Sequence, residues 1–222
     1  MSYRVLVTDY AWPTLDIERK VLGAIGAELI VPKTGNEDEL VALAPQADAI
    51  LVNWNGCTAR VIANAPKCQI ITRYGVGVDN IAIDAATERG IIVCNVPDYC
   101  MDEVSNEAMA MLLAGARRLM LYDRAIRNKT WGVKVGMPFP RVQGLTLGII
   151  GFGRIGKTVA PKAQAFGLRV LVYDPYIDQT EITSRGCTPA SFDDLLRQSD
   201  FVTLHTPLTP ETQGMINERA LR

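Results

Sequence analysis

The chain has 222 residues, 48% of them hydrophobic and 21% charged, with a formal net charge of −1 and a mean hydropathy of +0.10. This is a globular composition with room for two domains and a sizeable core, and it gives no electrostatic reason to expect nucleic acid or an anionic membrane as a partner. No apolar run reaches the ~20 residues of a membrane-spanning helix, and the chain enters a strand at Arg4 without a signal-type segment, so a cytoplasmic location is expected.

From the first residues, β-rich runs alternate with helical patterns. The runs are Arg4 to Thr8, Glu28 to Val31, Ala49 to Asn53, Gln69 to Arg73 and Ile91 to Asn95, separated by segments such as Leu15 to Ile25 and Asn36 to Leu43. Such alternation predicts a parallel sheet. The fourth run leads into Tyr74-Gly75-Val76-Gly77-Val78-Asp79-Asn80. Two readings of that turn stand side by side: backbone N–H groups arranged as an anion nest for a carboxylate, or a structural turn in which one glycine takes a positive φ. Arg73 either touches a carboxylate or points from the strand end to solvent. Asn53, Trp54, Tyr74 and Tyr99 occupy strand or loop positions from which a side chain can face a substrate cleft, although aromatic residues beside a parallel sheet also serve as core.

Pro97 and the loop Asp98-Tyr99-Cys100 break the alternation, which places a boundary between a first domain, 1–99, and a second, 100–222. A long linking helix over about 103–128 is predicted after an N-cap at Asp102. Its apolar face is Val104, Ala108, Met111, Leu112, Gly115, Leu119, Tyr122 and Ile126, suited to core packing or to a stiff connector. The proline-bearing loop Gly132 to Gln143 ends it. Five cysteines, at 57, 68, 94, 100 and 187, lack a CxxC pair and mostly sit in or beside apolar runs, as buried reduced thiols do. A single histidine argues against a protein metal cluster.

The most specific signal follows. The run Leu145 to Ile150 enters Gly151-Phe152-Gly153-Arg154-Ile155-Gly156, and Asp174 ends the next apolar run, Val170 to Tyr173. A buried strand, glycines that allow a sharp turn and close approach to a pyrophosphate, and a helix opening at Arg154 form a dinucleotide site. Asp174, 18 residues beyond Gly156, is placed to accept the adenosine ribose hydroxyls. A 2′-phosphate ~4 Å from that carboxylate would be repelled by roughly 4 kcal/mol at an intermediate dielectric, so NAD is expected rather than NADP. The run Asp200 to Leu204 then leads through His205-Thr206-Pro207 to Thr212, a loop that should border the cofactor across the switch point of the sheet. His205 there orients a loop or touches the cofactor rather than shuttling a substrate proton.

Together these residues resemble the D-2-hydroxyacid dehydrogenase family. The likeness runs through Arg73 to Ile83, Gly90 to Pro97, Asp102-Glu-Val-Ser-Asn-Glu107, Gly144 to Gly156, Tyr173-Asp-Pro-Tyr176 and Leu204 to Thr212. Val93-Cys-Asn-Val-Pro-Asp-Tyr and Val172-Tyr-Asp-Pro-Tyr look most like the branch of C-terminal binding protein corepressors and phosphoglycerate dehydrogenase-like proteins. The resemblance implies a flavodoxin-like substrate domain and a Rossmann NAD-binding domain, and a homodimer built around the latter and the linking helix. It implies that the Val76 and Gly77 amides hold the carboxylate of a 2-keto or 2-hydroxy acid; Asn53 is a substrate-binding candidate from its position alone. It also implies that Arg154 and Ile155 lie against the pyrophosphate, that His205, Thr206, Pro207 and Thr212 line the cofactor, and that Ser105 lies near the nicotinamide.

One departure is large. The family's catalytic Arg, Glu and His lie downstream of a segment like Met215 to Arg222, and this sequence contains none of them. The Rossmann half is therefore expected to be incomplete, with Phe201 to Leu204 as an apolar edge strand. Three functions compete: an NAD-dependent oxidoreductase, inactive as the isolated 222 residues; an NAD(H)-binding, dimerising module; and an inert fragment.

Overall fold

The computed structural model describes residues 2–222, which form two compact units meeting in sequence between Tyr99 and Cys100. The first contains β1 (Arg4–Val7), α1 (Asp16–Gly23), β2 (Glu28–Ile30), α2 (Glu37–Leu43), β3 (Ala49–Val52), α3 (Ala59–Ala63), β4 (Ile70–Arg73), α4 (Ile83–Glu88) and β5 (Ile92–Cys94). Every neighbouring pair of strands is parallel, in the order β2-β1-β3-β4-β5. That is the flavodoxin-like order, whose switch point lies between β1 and β3. Leu6, Ile50, Val52 and Ile71 are fully buried and face helices whose starts are fixed by side-chain caps, Asn36 on α2 and Thr58 on α3. The parallel register gathers the loops after β1, β3 and β4 along one sheet edge, and the Asn53 and Gly75–Gly77 segments both lie there.

The second unit holds α5 (Met101–Ala116), α6 (Leu119–Arg127), β6 (Thr146–Ile150), α7 (Arg154–Ala165), β7 (Arg169–Tyr173), α8 (Gln179–Ser184), β8 (Thr188–Pro189), α9 (Phe192–Gln198), β9 (Phe201–Leu204) and α10 (Glu218–Leu221). Its parallel sheet runs β8-β7-β6-β9, the first four positions of a Rossmann sheet. Central strand β6 is buried at every residue. Gly148 has no room for a side chain, because a Cβ there would collide with Leu195 Cδ2 and Ser199 Oγ. At the other margin, Val202 and Leu204 of β9 are 44% and 47% exposed. An apolar groove of about 470 Å³ runs beside them, lined by Met109, Leu112, Leu147 and Phe201 among others.

The linking helix differs from expectation. It begins at Met101, after Cys100 and without a side-chain cap, and it is two helices rather than one. Arg118 separates them in the left-handed conformation, φ +56°. The buried stripe of α5 is Ser105, Met109, Leu112 and Ala116, whereas Met111, Leu119 and Ile126 are more than half exposed. Two apolar arcs overlap on this helix, and spacing alone did not reveal which one meets the sheet.

All five cysteines are free. Cys57, Cys68 and Cys187 are buried, Cys100 is intermediate and Cys94 is exposed, so the expectation of buried thiols holds for three of them. Burial pushes the Cys57 thiol up to about 12.

Candidate functional site

The turn between β6 and α7 is built from three glycines with three different physical requirements. Gly151 has φ +88°, and a Cβ on it would stand 2.8 Å from the carbonyl carbon and oxygen of His205. Gly156, in the first turn of α7, has no such backbone strain, but its Cβ would run into the Gly151 carbonyl oxygen. Gly153 is different again, with nothing within 4 Å of its Cβ position. Two glycines therefore let helix, turn and the β9 loop close on one another, while the third leaves open space at the helix entrance.

Gly153 is the N-cap of α7 and brings no side chain to it. The first backbone N–H groups of a helix have no acceptor inside it, and the dipole adds partial positive charge at that end. Arg154 and Ile155 open this 12-residue helix, the first exposed and the second half-buried. An uncapped helix start facing open space is suited to a pyrophosphate. Because the three glycine environments and the uncapped start agree, the residues fit a dinucleotide.

Asp174 completes the turn. Its Oδ2 accepts the Phe152 N–H at 2.7 Å and its Oδ1 accepts the Tyr176 N–H at 2.9 Å. The carboxylate is thus locked to the glycine turn by one oxygen and to its own loop by the other, and each oxygen keeps a lone pair for a further donor. Across the switch point, the His205 N–H donates to the Ile150 carbonyl at 2.8 Å. The His205 ring lies 2.9 Å from Thr203 Oγ1, and burial lowers its pKa, leaving it neutral at pH 7. Thr206 Cγ2 would be 2.9 Å from a Cβ on Gly151, so this loop borders the turn. Thr212 faces inward to its own loop: its hydroxyl donates to the Pro207 carbonyl at 2.6 Å and accepts the Thr209 N–H at 2.8 Å.

Ser105 lies elsewhere. It is fully buried between α5 and α7, where its hydroxyl donates to the Asp102 carbonyl at 3.0 Å and accepts from Lys162 Nζ at 2.7 Å. Lys162 also reaches Asn106 Oδ1 and Asp102 Oδ1, at 2.7 and 3.1 Å. This knot stands about two turns along α7 from the glycine turn. With its hydroxyl engaged once as donor and once as acceptor, Ser105 fastens helix to helix.

In the first unit, neither Gly75 nor Gly77 has a positive φ, so the turn is not there to accommodate strain. Gly77 is glycine for lack of space: a Cβ would lie 2.8 Å from Asp79 Oδ1 and 3.1 Å from Arg73 Nη1. Arg73, 16% exposed in its side chain, is folded back onto the turn rather than pointed to solvent. It donates from Nε to the Asn53 carbonyl at 3.2 Å and from Nη1 to the Gly77 carbonyl at 2.5 Å and to Asp79 at 3.1 Å. Val76 and Gly77 are exposed, and their N–H groups have no acceptor among the described residues. Asn53 sits at the same edge, with its Nδ2 3.5 Å from Asp9 Oδ2 and its carbonyl held by Asn80 as well as Arg73. Asp9 was not singled out in the sequence, yet it organises the β1–β3 switch point by accepting the Trp54 and Asn55 N–H groups at 3.1 and 2.9 Å. Tyr74 is pinned against Trp12, ring centroids 4.8 Å apart, and bonds Glu18 at 3.2 Å; burial, with Glu18 alongside, raises its phenol pKa.

Residues 109–222, just over half of the chain, match the model of the NAD binding domain of D-isomer specific 2-hydroxyacid dehydrogenases. The chain is 41% identical over 187 residues to D-3-phosphoglycerate dehydrogenase of Mycobacterium tuberculosis, covering 84% of this chain and 35% of that protein. It is 40% identical over 204 residues to glyoxylate reductase of Thermococcus kodakarensis, covering 89% and 59%. Thus it spans between about a third and three-fifths of the length of these curated relatives. Among solved structures, a D-lactate dehydrogenase from Aquifex aeolicus complexed with NAD and lactic acid superposes with a TM-score of 0.87 at 29% identity, over 98% of this chain and 65% of that one. The TT0316 protein of Thermus thermophilus gives 0.83 at 33% identity, over 98% and 69%.

Proposed function

The chain belongs to the D-isomer specific 2-hydroxyacid dehydrogenase family, and on that premise we propose that it supplies the NAD-binding and carboxylate-binding parts of an oxidoreductase acting on 2-hydroxy or 2-keto acids. One observation carries the reading: the glycine turn, the uncapped start of α7 and the Asp174 carboxylate are fastened into one unit by the Phe152 N–H. In this reading the first-turn amides of α7, including those of Arg154 and Ile155, hold the pyrophosphate. Asp174 accepts the ribose hydroxyls, and His205, Thr206 and Pro207 wall the coenzyme, while Thr212 shapes that wall from behind. The bound nicotinamide supplies the hydride acceptor or donor. The exposed Val76 and Gly77 amides hold the acid's carboxylate, and Asn53 stands near it.

Proton transfer needs a general acid or base. His205, neutral and bonded to Thr203, is a wall residue here. Turnover by the whole protein then depends on residues outside positions 1–222, and the substrate's identity with it. The test is NADH oxidation with a panel of 2-keto acids: the 222-residue chain binds NADH but turns over none, while a longer natural form, where one exists, does. Turnover by the 222 residues alone would overturn this division of labour.

A second reading, an NAD(H)-dependent dimerising module in the cytoplasm, is favoured by the exposure of Leu119, Met120 and Ile126 on α6. It predicts that NADH drives the chain to a dimer in sedimentation experiments. A monomer at every NADH concentration would remove it. No helix among the described residues is long and apolar enough to cross a membrane.

A further inference from the structure

We propose that Asn95 and Arg73 are positioning residues that aim the Gly77 and Val78 amides, a role that rests on the carboxylate-binding reading of that turn.

In a planar trans peptide the C=O and the following N–H point in opposite directions, so a group that holds the carbonyl also aims the N–H. Three successive peptide units are held in this way. The Gly75 carbonyl accepts the Val96 N–H at 3.2 Å. The Val76 carbonyl accepts Asn95 Nδ2 at 2.6 Å, and the Gly77 carbonyl accepts Arg73 Nη1 at 2.5 Å. The N–H groups of Val76, Gly77 and Val78 are therefore turned away from those donors, and none has an acceptor among the described residues. Successive backbone N–H groups in a turn of this kind are suited to an anion.

The backbone of the chain supplies only the first of these three restraints. The other two are side chains from outside the turn, and each is fixed in its place. Arg73 is tied to the Asn53 carbonyl and to Asp79, so its charge is already compensated; it acts on a ligand through the peptide it holds rather than by contact. Asn95 immediately follows β5 and reaches back across to Val76. Losing either donor frees one carbonyl and lets the peptide plane rotate. The clamp then pays an ordering cost on binding that it otherwise avoids.

The experiment is a titration of the ¹⁵N-labelled 222-residue chain with sodium oxamate, a non-reducible 2-keto acid analogue, following the Val76, Gly77 and Val78 amide resonances. In the wild type all three shift saturably. Asn95→Ala, on an exposed side chain, removes the N–H₂ donor without adding charge and weakens oxamate binding by about tenfold or more at an unchanged melting temperature. Arg73→Lys keeps one cationic donor and loses less affinity than Arg73→Ala. A purely structural role would lower the melting temperature without changing the oxamate affinity of the folded protein. Folded Asn95→Ala and Arg73→Ala variants with wild-type oxamate affinity would overturn the inference alone. A wild type whose Val76 and Gly77 amides ignore oxamate would overturn the carboxylate reading and this inference with it. NADH binding, read at Gly151 and Gly153 in the same spectra, is expected to stay constant through the series.

Discussion

Asp174 carries two jobs that a sequence shows as one. It bonds the Phe152 N–H and, in the proposed reading, accepts the ribose hydroxyls, so on that reading Asp174→Ala removes both a ligand contact and the restraint on the turn. Loss of charge-assisted hydrogen bonds of this kind is worth about 1.5–3 kcal/mol, so the variant is expected to bind NADH roughly ten- to a hundredfold more weakly. Its preference over NADPH should narrow as well, since the repelling carboxylate is gone. Competitive titration of the two coenzymes checks this; an unchanged ratio would separate Asp174 from the ribose. Gly151→Ala meets both a positive φ and the His205 carbonyl, and should cost about 2 kcal/mol or more in urea unfolding. The glycines and the terminal Asp were legible in sequence because each is a local requirement of one turn. The Phe152–Asp174 bond, the Arg73 and Asn95 restraints and the Ser105–Lys162 knot were not, because each joins residues brought together only by strand order or helix packing.

At the scale of elements, all five strands of the first unit were legible to within one residue at each end, because each reads as a short run rich in apolar residues. The helices α3, α4, α8 and α9, of five to seven residues, span at most two turns and leave too short a period to read. The break at Arg118 escaped notice because the apolar pattern continues through it. Element starts also set the acid response. In the first turn of α2, Glu39 is held down to about 2 by the Thr34 hydroxyl and then by the Lys33, Thr34 and Gly35 amides. A carboxyl with a depressed folded pKa stabilises the fold above its ordinary value of 4.5 and loses that contribution as pH falls toward about 2. Glu39→Gln should therefore flatten the melting temperature profile in that window. At the end of β9, His205 has its pKa lowered by burial, so the unfolded chain binds the proton more readily and stability falls as pH drops through the ordinary imidazole value near 6.5. Because this is the sole histidine, His205→Gln should remove that step from a thermal melt series between pH 7.5 and 5.5.

For the whole molecule, β9 stands at the margin of its sheet with Val202 and Leu204 exposed beside an apolar groove. An apolar strand edge of this kind pairs with further strands or with another copy. The 222-residue chain, 24.3 kDa, is accordingly expected to self-associate at micromolar concentration, and a cooperative, monomeric melt with light scattering at that mass would count against it. The central claim is that the entrance of α7 and Asp174 bind a dinucleotide. Calorimetric titration of the 222-residue chain with NADH tests this most directly. Saturable heat at one NADH per chain, lost in Asp174→Ala, is the predicted result, and an absence of saturable heat with both NADH and NAD would contradict it.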